Sequence, residues 1–484
     1  MSTSPFLRDF FRPPIWHDWG AGFVCQTRCE GLPDPQWGIW NSTLAQELGL
    51  SEIPAQEASV HFSGNGPQVP WCSAYAGHQF GQWAGLLGDG RAHTLGRDPA
   101  GNQEIQLKGA GMTPYSRRGD GRAVLRSSLR EYLGSEAMAG LGIPTTRALA
   151  LLTSSLPVRR ETRETAAIVA RVAPSFLRFG HVEHLAWHGF PVELKRLLDL
   201  LMTFHYPAAR HQPNPVLSVL EAVVERTAHL MAAWQSVGFC HGVMNTDNMS
   251  LLGLTLDYGP FAFLDRYDPQ FIGNHSDQEG RYAYDQQPGI GAWNCAVLGS
   301  ALSVLIDDEE GIQTVLGRYE PQFSTSLLSR FRRKLGWRKP FPEDPSLIES
   351  LLSLLHRNQV DFTRFFRFLA QDAVQAEPAR LEDEAEFQGP SSWTEWVSAY
   401  RERCAQEESS AGVRAQGMRA ANPKYVLRTY LAELAIRQAQ QGDFAMARDL
   451  ETVLRTPWDE HPEFSAWALA PPDWAGALTL SCSS

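Results

Sequence analysis

The spacing of apolar residues changes near residue 214, and this change restricts the possible folds more than any other feature. From Asn214 to Gly238, apolar residues recur at helical spacing and the run ends at a glycine, which predicts a helix. Upstream, Glu104–Gly109 alternates like a strand, and Ala166–Pro174 contains a β-branched run. A strand-rich half followed by a helical half predicts an α+β fold. We expect a bilobal arrangement with the ligand site in the cleft between the lobes.

Other helices are expected on both sides of this change. Ser128–Gly140 has the Ala, Leu, Glu and Met content of a helix. Pro174 suits the first turn of a helix that would follow the second strand. Further helices are predicted around residues 291–306, 346–375 and 423–441.

The length of 484 residues is sufficient for two lobes with extensions. We predict a division into four parts: an N-terminal extension (1–60), a strand-rich N-lobe (61–213), a helical C-lobe (214–375), and a C-terminal helical extension with a cysteine-containing tail (376–484).

Charge argues against nucleic acid as the main partner. The chain has 43 basic and 54 acidic residues, a formal net charge of −11, and no long basic tract. Arginine is nevertheless concentrated in Tyr115–Arg130. This pattern favours a small anionic ligand over a polyanion.

The lack of a recognisable targeting signal and the cysteine usage predict a cytoplasmic chain outside the membrane. The first 14 residues lack a long apolar segment followed by a cleavage site. The most apolar stretch, residues 291–306, is short for a membrane span and contains Asn294, Ser300 and Ser303. The seven cysteines include no CxxC pair and suit a reducing compartment.

Residues 241–259 contain the pattern that most directly indicates chemistry, HGVMNTDNMSLLGLTLDYG. His241 and Asn248 have the spacing of the histidine and metal-binding asparagine in the protein-kinase catalytic loop, and Asp257 begins a DYG triplet where kinases have DFG. An amide oxygen and a carboxylate suit Mg²⁺, or Mn²⁺ in its place, beside nucleotide phosphates. The kinase base position is Val243, so Asp247 is the remaining acidic candidate. A turn built from Asn and Asp is the structural alternative.

Upstream elements occur in the order found in kinases. Lys108 ends a predicted strand and Glu131 lies on a predicted helix, as in the ion pair that positions nucleotide phosphates. Glycine-rich loops precede and follow this strand, and glycines let backbone N–H groups approach phosphates; a hairpin turn is the alternative for the first loop. Their candidate ligand residues are Gly88, Gly90, Arg91, Asp120 and Gly121.

Arg171 and Arg178 are two further candidates for binding phosphate. Arg171 should lie near the end of a strand, and Arg178 one turn into the helix predicted after Pro174. A guanidinium group binds phosphate in bidentate fashion, whereas simple surface solvation is the alternative for each arginine.

The chain resembles the selenoprotein O family, YdiU-type pseudokinases that act as protein adenylyltransferases. The resemblance covers nearly the whole chain and is carried by long specific strings: YAGHQFGQWAGLLGDGRAHTLG, QLKGAGMTPYSRRGDGRAVLRSSLREYLGSEAM, HGVMNTDNMS, ANPKYVLRTYL and SCSS. It implies a kinase-like fold that holds ATP inverted, with the γ-phosphate buried. It also implies transfer of AMP to Ser, Thr or Tyr hydroxyls of proteins, with release of pyrophosphate. Because the metal motif and the arginines fit an inverted ATP, we expect the chain to modify itself as well.

The same resemblance implies a role for each candidate residue. Asp247 would be the base, Asn248 and Asp257 would bind the metal, and Glu131 would pair with Lys108. The implied nucleotide contacts are Gly88, Gly90, Arg91, Lys108, Asp120, Gly121, Arg171, Arg178 and Asp257.

Two other functions remain open from the residues alone. A catalytically inactive nucleotide-binding scaffold is favoured by Val243 and disfavoured by Asp247, Asn248 and Asp257. A metallohydrolase would need a metal site at His181, His184 and His188, whose spacing is not that of a known zinc motif.

Redox control differs from that implied by the family resemblance. Some relatives pair a C-terminal cysteine with a cysteine in the loop after the DYG triplet. This chain has Cys482 but no cysteine between Gly259 and Gln287. A disulfide from Cys482 to that loop is therefore excluded.

Overall fold

A computed structural model describes residues 10–20, 22–376 and 392–481. The predicted tail with Cys482 and much of the charged segment after residue 376 lie outside these ranges. The strands are β1 Val24–Gln26, β2 Gln36–Trp40, β3 Trp71–Ser73, β4 His78–Gln79, β5 Gln82–Trp83, β6 Ala92–Arg97, β7 Glu104–Lys108, β8 Ala123–Val124, β9 Arg147–Arg159, β10 Arg163–Ala173, β11 Phe239–Cys240 and β12 Ala262–Phe263.

The helices confirm the mixed α+β class. They are α1 Ser42–Glu47, α2 Ala55–Phe62, α3 Leu125–Gly140, α4 Phe179–Trp187, α5 Pro191–Phe204, α6 Pro215–Val237, α7 Gln287–Leu302, α8 Glu309–Leu316, α9 Tyr319–Lys334, α10 Asp344–Arg357, α11 Phe362–Leu369, α12 Asp372–Ala376, α13 Ser392–Ala405, α14 Ala411–Arg419, α15 Thr429–Ala439 and α16 Ala445–Arg455.

An antiparallel sheet organises the first half of the chain. Its strands lie in the order β1-β3-β6-β7-β10-β9-β2, with β8 also paired to β10. The residues of β10 alternate between two apolar clusters, because successive side chains point to opposite faces of a sheet: Val169 joins the cluster containing α3, whereas Ile168 and Ala170 join the cluster containing α1 and α2. Both faces of the central strands are therefore buried.

Helices form most of the second half. Helix α6 lies at the centre of the largest apolar cluster, which also contains residues of α3, α4, α5, α7 and α15. A second cluster joins α9, α10, α11 and α13. The loops between β11 and α7 lie among these helices and carry the polar residues of 241–259.

Two local predictions differ from the structure. The region 346–375 is divided among α10, α11 and α12, because Asp361 caps a new helix by accepting the N–H of Arg364. The prediction of a helix starting at Pro174 was wrong. Instead, α4 starts at Phe179, and Arg178 precedes it in an extended conformation that forms a β-bridge with Ser250.

Candidate active site

Asp257 lies at the centre of a cluster of three cationic side chains. Its Oδ1 is 2.5 Å from Arg171 Nη1 and 3.4 Å from Lys108 Nζ, and its Oδ2 is 2.5 Å from Arg178 Nη1. Burial alone would raise the pKa of Asp257, but the charges of Arg178, Lys108 and Arg171 hold it well below its ordinary value. Asp257 is therefore an anion at neutral pH.

Lys108 and Glu131 form the ion pair that their order in the chain suggested. Lys108 Nζ lies 2.7 Å from Glu131 Oε2, and Arg171 Nη1 lies 3.0 Å from Glu131 Oε1, so one carboxylate holds two cations. Lys108 ends β7 and Glu131 lies on α3, which packs against β9 and β10. Burial lowers the pKa of Lys108, whereas the carboxylates of Glu131 and Asp257 oppose that shift.

Strand register brings Arg171 to the same place. Arg171 on β10 lies opposite Gln106 on β7, and its Nη2 donates to Gln106 Oε1. Gln106 and Lys108 are two residues apart on one strand, so both side chains point to the same face. The alternation in this strand therefore directs Gln106 and Lys108 toward the site, and its apolar residues toward the opposite core.

Arg178 reaches Asp257 from its position before α4. Its Nη1 donates to the carbonyl of Asp247 at 2.7 Å as well as to Asp257, and its guanidinium lies 4.8 Å from the centre of the Tyr75 ring. Arg178 therefore joins the two aspartates of the 241–259 segment.

Asp247 occupies a buried position one residue before Asn248, in the short helical turn Thr246–Asn248. Burial raises its pKa to about 7, against the opposing charge of Arg178. Gln79 Nε2 lies 3.4 and 3.5 Å from its two carboxylate oxygens. Among the residues that the structure describes, no cation forms a close ion pair with this carboxylate, and its proton affinity suits general-base chemistry near neutral pH.

The β4–β5 hairpin binds the loop that carries Asp247. His78 N donates to Thr246 Oγ1 at 2.7 Å, and Phe80 N donates to Asn245 Oδ1 at 3.1 Å. Together with Gln79, three consecutive hairpin residues therefore contact three consecutive residues of the loop.

Asn248 and Asp257 have donor atoms that fit a hard divalent cation. Asn248 Oδ1 is buried and has no hydrogen-bond partner among the described residues. A buried, unpartnered amide oxygen that lines the same cleft as an ionised carboxylate suits Mg²⁺ or Mn²⁺, which prefer oxygen ligands. His241 supports this segment from behind, because its Nε2 donates to the Leu256 carbonyl at 2.9 Å.

A cleft of about 720 Å³ joins these groups to both glycine-rich loops. Its lining includes Gly88, Gly90, Arg91, Lys108, Asp120, Gly121, Arg171, Arg178, Asn248 and Asp257. Asp247 and Glu131 contact the lining residues Arg178 and Lys108. Every residue to which the resemblance assigns a role therefore lies on the cleft or contacts a residue that lines it.

The two glycine-rich loops require glycine for steric reasons. At Gly88 (φ +77°), a Cβ would lie 2.5 Å from Tyr115 Cγ, and at Gly121 (φ +67°) it would lie 2.1 Å from the Gly111 carbonyl oxygen. Asp120 is held in an ion pair with Arg160, whose guanidinium nitrogens lie 2.7 and 2.9 Å from its carboxylate oxygens.

Three residues near the site were missed by the sequence reasoning: Gln79, Asp89 and Gln106. Buried Asp89 accepts the N–H and the hydroxyl of Ser73, both at 2.7 Å, and so holds the first glycine-rich loop. Two local features of the sequence could have identified these residues: Asp89 lies between two glycines, and Gln106 lies two positions before Lys108 on the same strand. Gln79 had no such signal, because it reaches Asp247 from 168 positions away.

The three histidines of the metallohydrolase alternative do not form a metal site. His181 contacts Ser73 Oγ and accepts the N–H of Arg178, whereas the His184 ring packs against those of Phe23 and His188. Within the described ranges, no cluster of three or more His, Cys, Asp or Glu residues could hold a metal ion.

Comparison with known proteins assigns the chain to a family. A family model described as protein adenylyltransferase SelO matches residues 5–455. The chain belongs to this family. As a family member it is an enzyme of the nucleotidyltransferase class, in agreement with the sequence resemblance.

Relatives with similar lengths support the assignment. Proteins named protein nucleotidyltransferase YdiU from Bordetella avium and Bordetella petrii are 53% and 50% identical to this chain, each over 96% of both chains. One from Aliivibrio fischeri is 47% identical over 94% of both. Separately, none of the helices in the described part of the chain is long and apolar enough to cross a membrane.

Proposed function

We propose that this chain transfers AMP from ATP to the hydroxyl of Ser, Thr or Tyr residues in proteins, itself included, and releases pyrophosphate. The observation that carries the proposal is the convergence of Lys108, Arg171 and Arg178 at the Asp257 end of the cleft. Family membership and the names of the relatives, which specify protein nucleotidyl transfer, support the same reaction.

Charge supports an inverted ATP. Two of the three cations around Asp257 also bind the Glu131 carboxylate, so three positive charges face two negative ones. One net positive charge remains where an ordinary kinase would hold the inner phosphates. Arg171 and Arg178 are almost completely buried, so a polyphosphate tail bound among them would be desolvated and strongly attracted. With the β- and γ-phosphates held there, the α-phosphate would face the protein substrate.

The proposed step is a substitution at the α-phosphorus. The hydroxyl oxygen of the substrate attacks, a bond forms between that oxygen and the α-phosphorus, and the bond to the β-phosphate bridging oxygen breaks. Asp247 takes the hydroxyl proton, while Lys108, Arg171 and Arg178 stabilise the charge on the leaving pyrophosphate. Asn248 and Asp257 would hold Mg²⁺ or Mn²⁺, which would neutralise part of the charge on the phosphates.

The remaining candidates bind or position the nucleotide. Glu131 keeps Lys108 and Arg171 oriented. Backbone groups of Gly88, Gly90 and Gly121, together with Arg91 and Asp120, would contact ATP along the lining of the cleft. We also propose that the sheet and the helical half correspond to the two lobes of a kinase-like fold, since strand lysine, helix glutamate, catalytic loop and DYG triplet follow in the kinase order.

The decisive experiment compares ATP labelled at the α- or the γ-phosphate. Incubation of the purified chain with each label, Mg²⁺ and a generic protein acceptor should label protein from the α position alone. Labelling from the γ position would instead indicate an ordinary kinase. Labelling from neither position, with ATP binding intact, would indicate the inactive scaffold.

A further inference from the structure

Cys25 and Cys72 lie directly opposite each other on neighbouring antiparallel strands. Cys25 on β1 pairs with Cys72 on β3. Hydrogen bonds from Thr27 N to Pro70 O and from Ala74 N to Phe23 O flank this pair two residues away on each side. The cysteines therefore occupy a hydrogen-bonded pair position, where Cα atoms are about 5.5 Å apart, within the range of about 4.4–6.8 Å that disulfides span.

The two thiols have different access and reactivity. Cys25 is half-buried, whereas Cys72 is completely buried behind it. Hydrogen bonds from Cys72 and Tyr115 lower the pKa of the Cys25 thiol to about 7, although burial opposes this shift. The hydrogen bond to Cys25 and burial raise the pKa of Cys72. Cys25 thus has the properties of an attacking thiolate, and Cys72 is the thiol that lies directly opposite it.

The pair contacts the walls of the nucleotide cleft. Cys72 Sγ lies 3.3 Å from the carbonyl oxygen of Ala92, the residue after Arg91. Tyr115, the hydrogen-bond partner of Cys25, fills the space beside Gly88 and lines the cleft. Movement of either sulfur would therefore alter a contact that supports the first glycine-rich loop.

We propose that Cys25 and Cys72 form a reversible oxidation site that takes a peroxide as oxidant, and that its disulfide form binds ATP more weakly. The second part rests on the proposed function. The Cys25 thiolate attacks one peroxide oxygen, the O–O bond breaks, and a sulfenic acid and hydroxide form. The Cys72 sulfur then attacks the Cys25 sulfur, the S–O bond breaks, and the disulfide forms. With hydrogen peroxide, the two thiols lose two electrons in total and two waters are produced.

The cross-link is tested on the full chain. After hydrogen peroxide treatment and alkylation, combined cleavage at Arg and Glu residues separates Cys29 from Cys72, because Glu30, Glu47, Glu52 and Glu57 lie between them. Mass spectrometry should find Cys25 joined to Cys72 and the link removed by dithiothreitol. Cys29→Ser is the matched control and should form the same link. If Cys25 remains fully alkylated after treatment, or if the link disappears in Cys29→Ser, the site is wrongly assigned.

The effect on ATP is measured by calorimetry before and after oxidation. We expect the Kd to rise about fivefold, which is the equivalent of one lost hydrogen bond, and to recover after reduction. Cys25→Ser should bind ATP like the reduced chain and resist the change. If the Kd for ATP is unchanged in protein that is shown to be cross-linked, the disulfide does not affect ATP binding and that part of the proposal is wrong. A reduced chain that does not bind ATP would contradict the proposed function, while the cross-link result would still decide the oxidation site.

Discussion

Asp257 shows how the site depends on individual residues. Its backbone is in the left-handed region (φ +57°), which a non-glycine residue keeps only where its surroundings hold it there. The surroundings here are Lys108, Arg171 and Arg178, which all bind its carboxylate. Asp257 therefore offsets part of the charge of the cationic cluster and is also a proposed metal ligand.

Substitution of the two aspartates, Asp257 and Asp247, should consequently affect different properties of the chain. Asp257→Ala should remove metal-dependent ATP binding and lower the free energy of unfolding by about 3 kcal/mol, because three cations lose their shared anion. Asp247→Ala should leave the ATP Kd nearly unchanged and reduce AMP transfer by roughly 10²–10⁴-fold, the range for a general base. Calorimetry with Mg²⁺ and transfer from α-labelled ATP measure the two effects. Equal losses of binding in both variants would contradict the assigned roles.

Gln79 should act as a positioning residue for Asp247. Gln79→Leu removes the amide that faces the carboxylate, so we expect transfer to fall about tenfold with little change in ATP affinity. Gln82→Leu changes an exposed residue of the same hairpin and is the matched control. Equal activity of the two variants, measured as kcat and KM for ATP, would remove Gln79 from the mechanism.

At the scale of elements, short segments place the site residues and longer ones support them. The β4–β5 hairpin has two residues in each strand, yet it determines how the Asp247 loop is held. Helix α9 is an example of a supporting element. Its last residue, Lys334, is 4% exposed, and its ammonium nitrogen lies 4.2 Å from the centre of the Phe366 ring and 5.3 Å from that of Phe362.

Lys334 should make stability depend on pH. Burial lowers its pKa from 10.5 to about 7, so between these values the unfolded chain binds more protons than the folded chain. The free energy of unfolding should therefore rise with pH across this window, by at most about 1.4 kcal/mol per pH unit from this group. Lys334→Met should reduce that slope and stabilise the chain at pH 7.

Denaturant unfolding at several pH values between 7 and 10 tests this prediction. Lys195→Met is the control, because the Lys195 side chain is 67% exposed and should leave the slope unchanged. A Lys334→Met variant with the wild-type slope would show that the lysine is charged in the folded chain.

At the scale of the whole molecule, the C-terminal helices are tied to α3, which carries Glu131, and to the loops of the helical half. Tyr132, next to Glu131 on α3, donates to Glu451 on α16 at 2.6 Å. Arg428, which precedes α15, binds Asp265 at 2.7 Å and Asp361 at 2.8 Å. These contacts join parts of the chain that are up to 319 positions apart.

Arg428 should therefore be important for global stability. Arg428→Met leaves Asp361 buried without its cation, and we expect a loss of about 3–5 kcal/mol in the free energy of unfolding. Arg437→Met removes an exposed ion pair with Glu433 on the same helix and should cost no more than about 0.5 kcal/mol. Chemical denaturation of the two variants measures the difference, and similar losses would contradict the structural role of Arg428.

Local sequence patterns predicted those strands and helices in which the spacing of apolar residues reflects which side chains are buried. The strand predicted over Glu104–Gly109 is observed as Glu104–Lys108. The helix expected over 214–238 is observed as Pro215–Val237. The helix expected from Ser128 begins three residues earlier, at Leu125. In contrast, the position of Arg178 depended on a bridge to Ser250, 72 positions along the chain, which no local pattern contains. The limits of the four predicted parts of the chain remain predictions.

By itself, the sequence indicated the charged and amide groups that we propose for the site, although it missed Gln79, Asp89 and Gln106. The order of lysine, glutamate, arginines, asparagine and aspartates can be read directly along the chain, because each lies in a recognisable local pattern. Tertiary structure alone decided how these groups pair. Asp257 meets Lys108, Arg171 and Arg178 across 149, 86 and 79 positions. Charges interact over a few ångströms, so the strength of each pair depends on the sheet register and loop contacts that bring distant residues together.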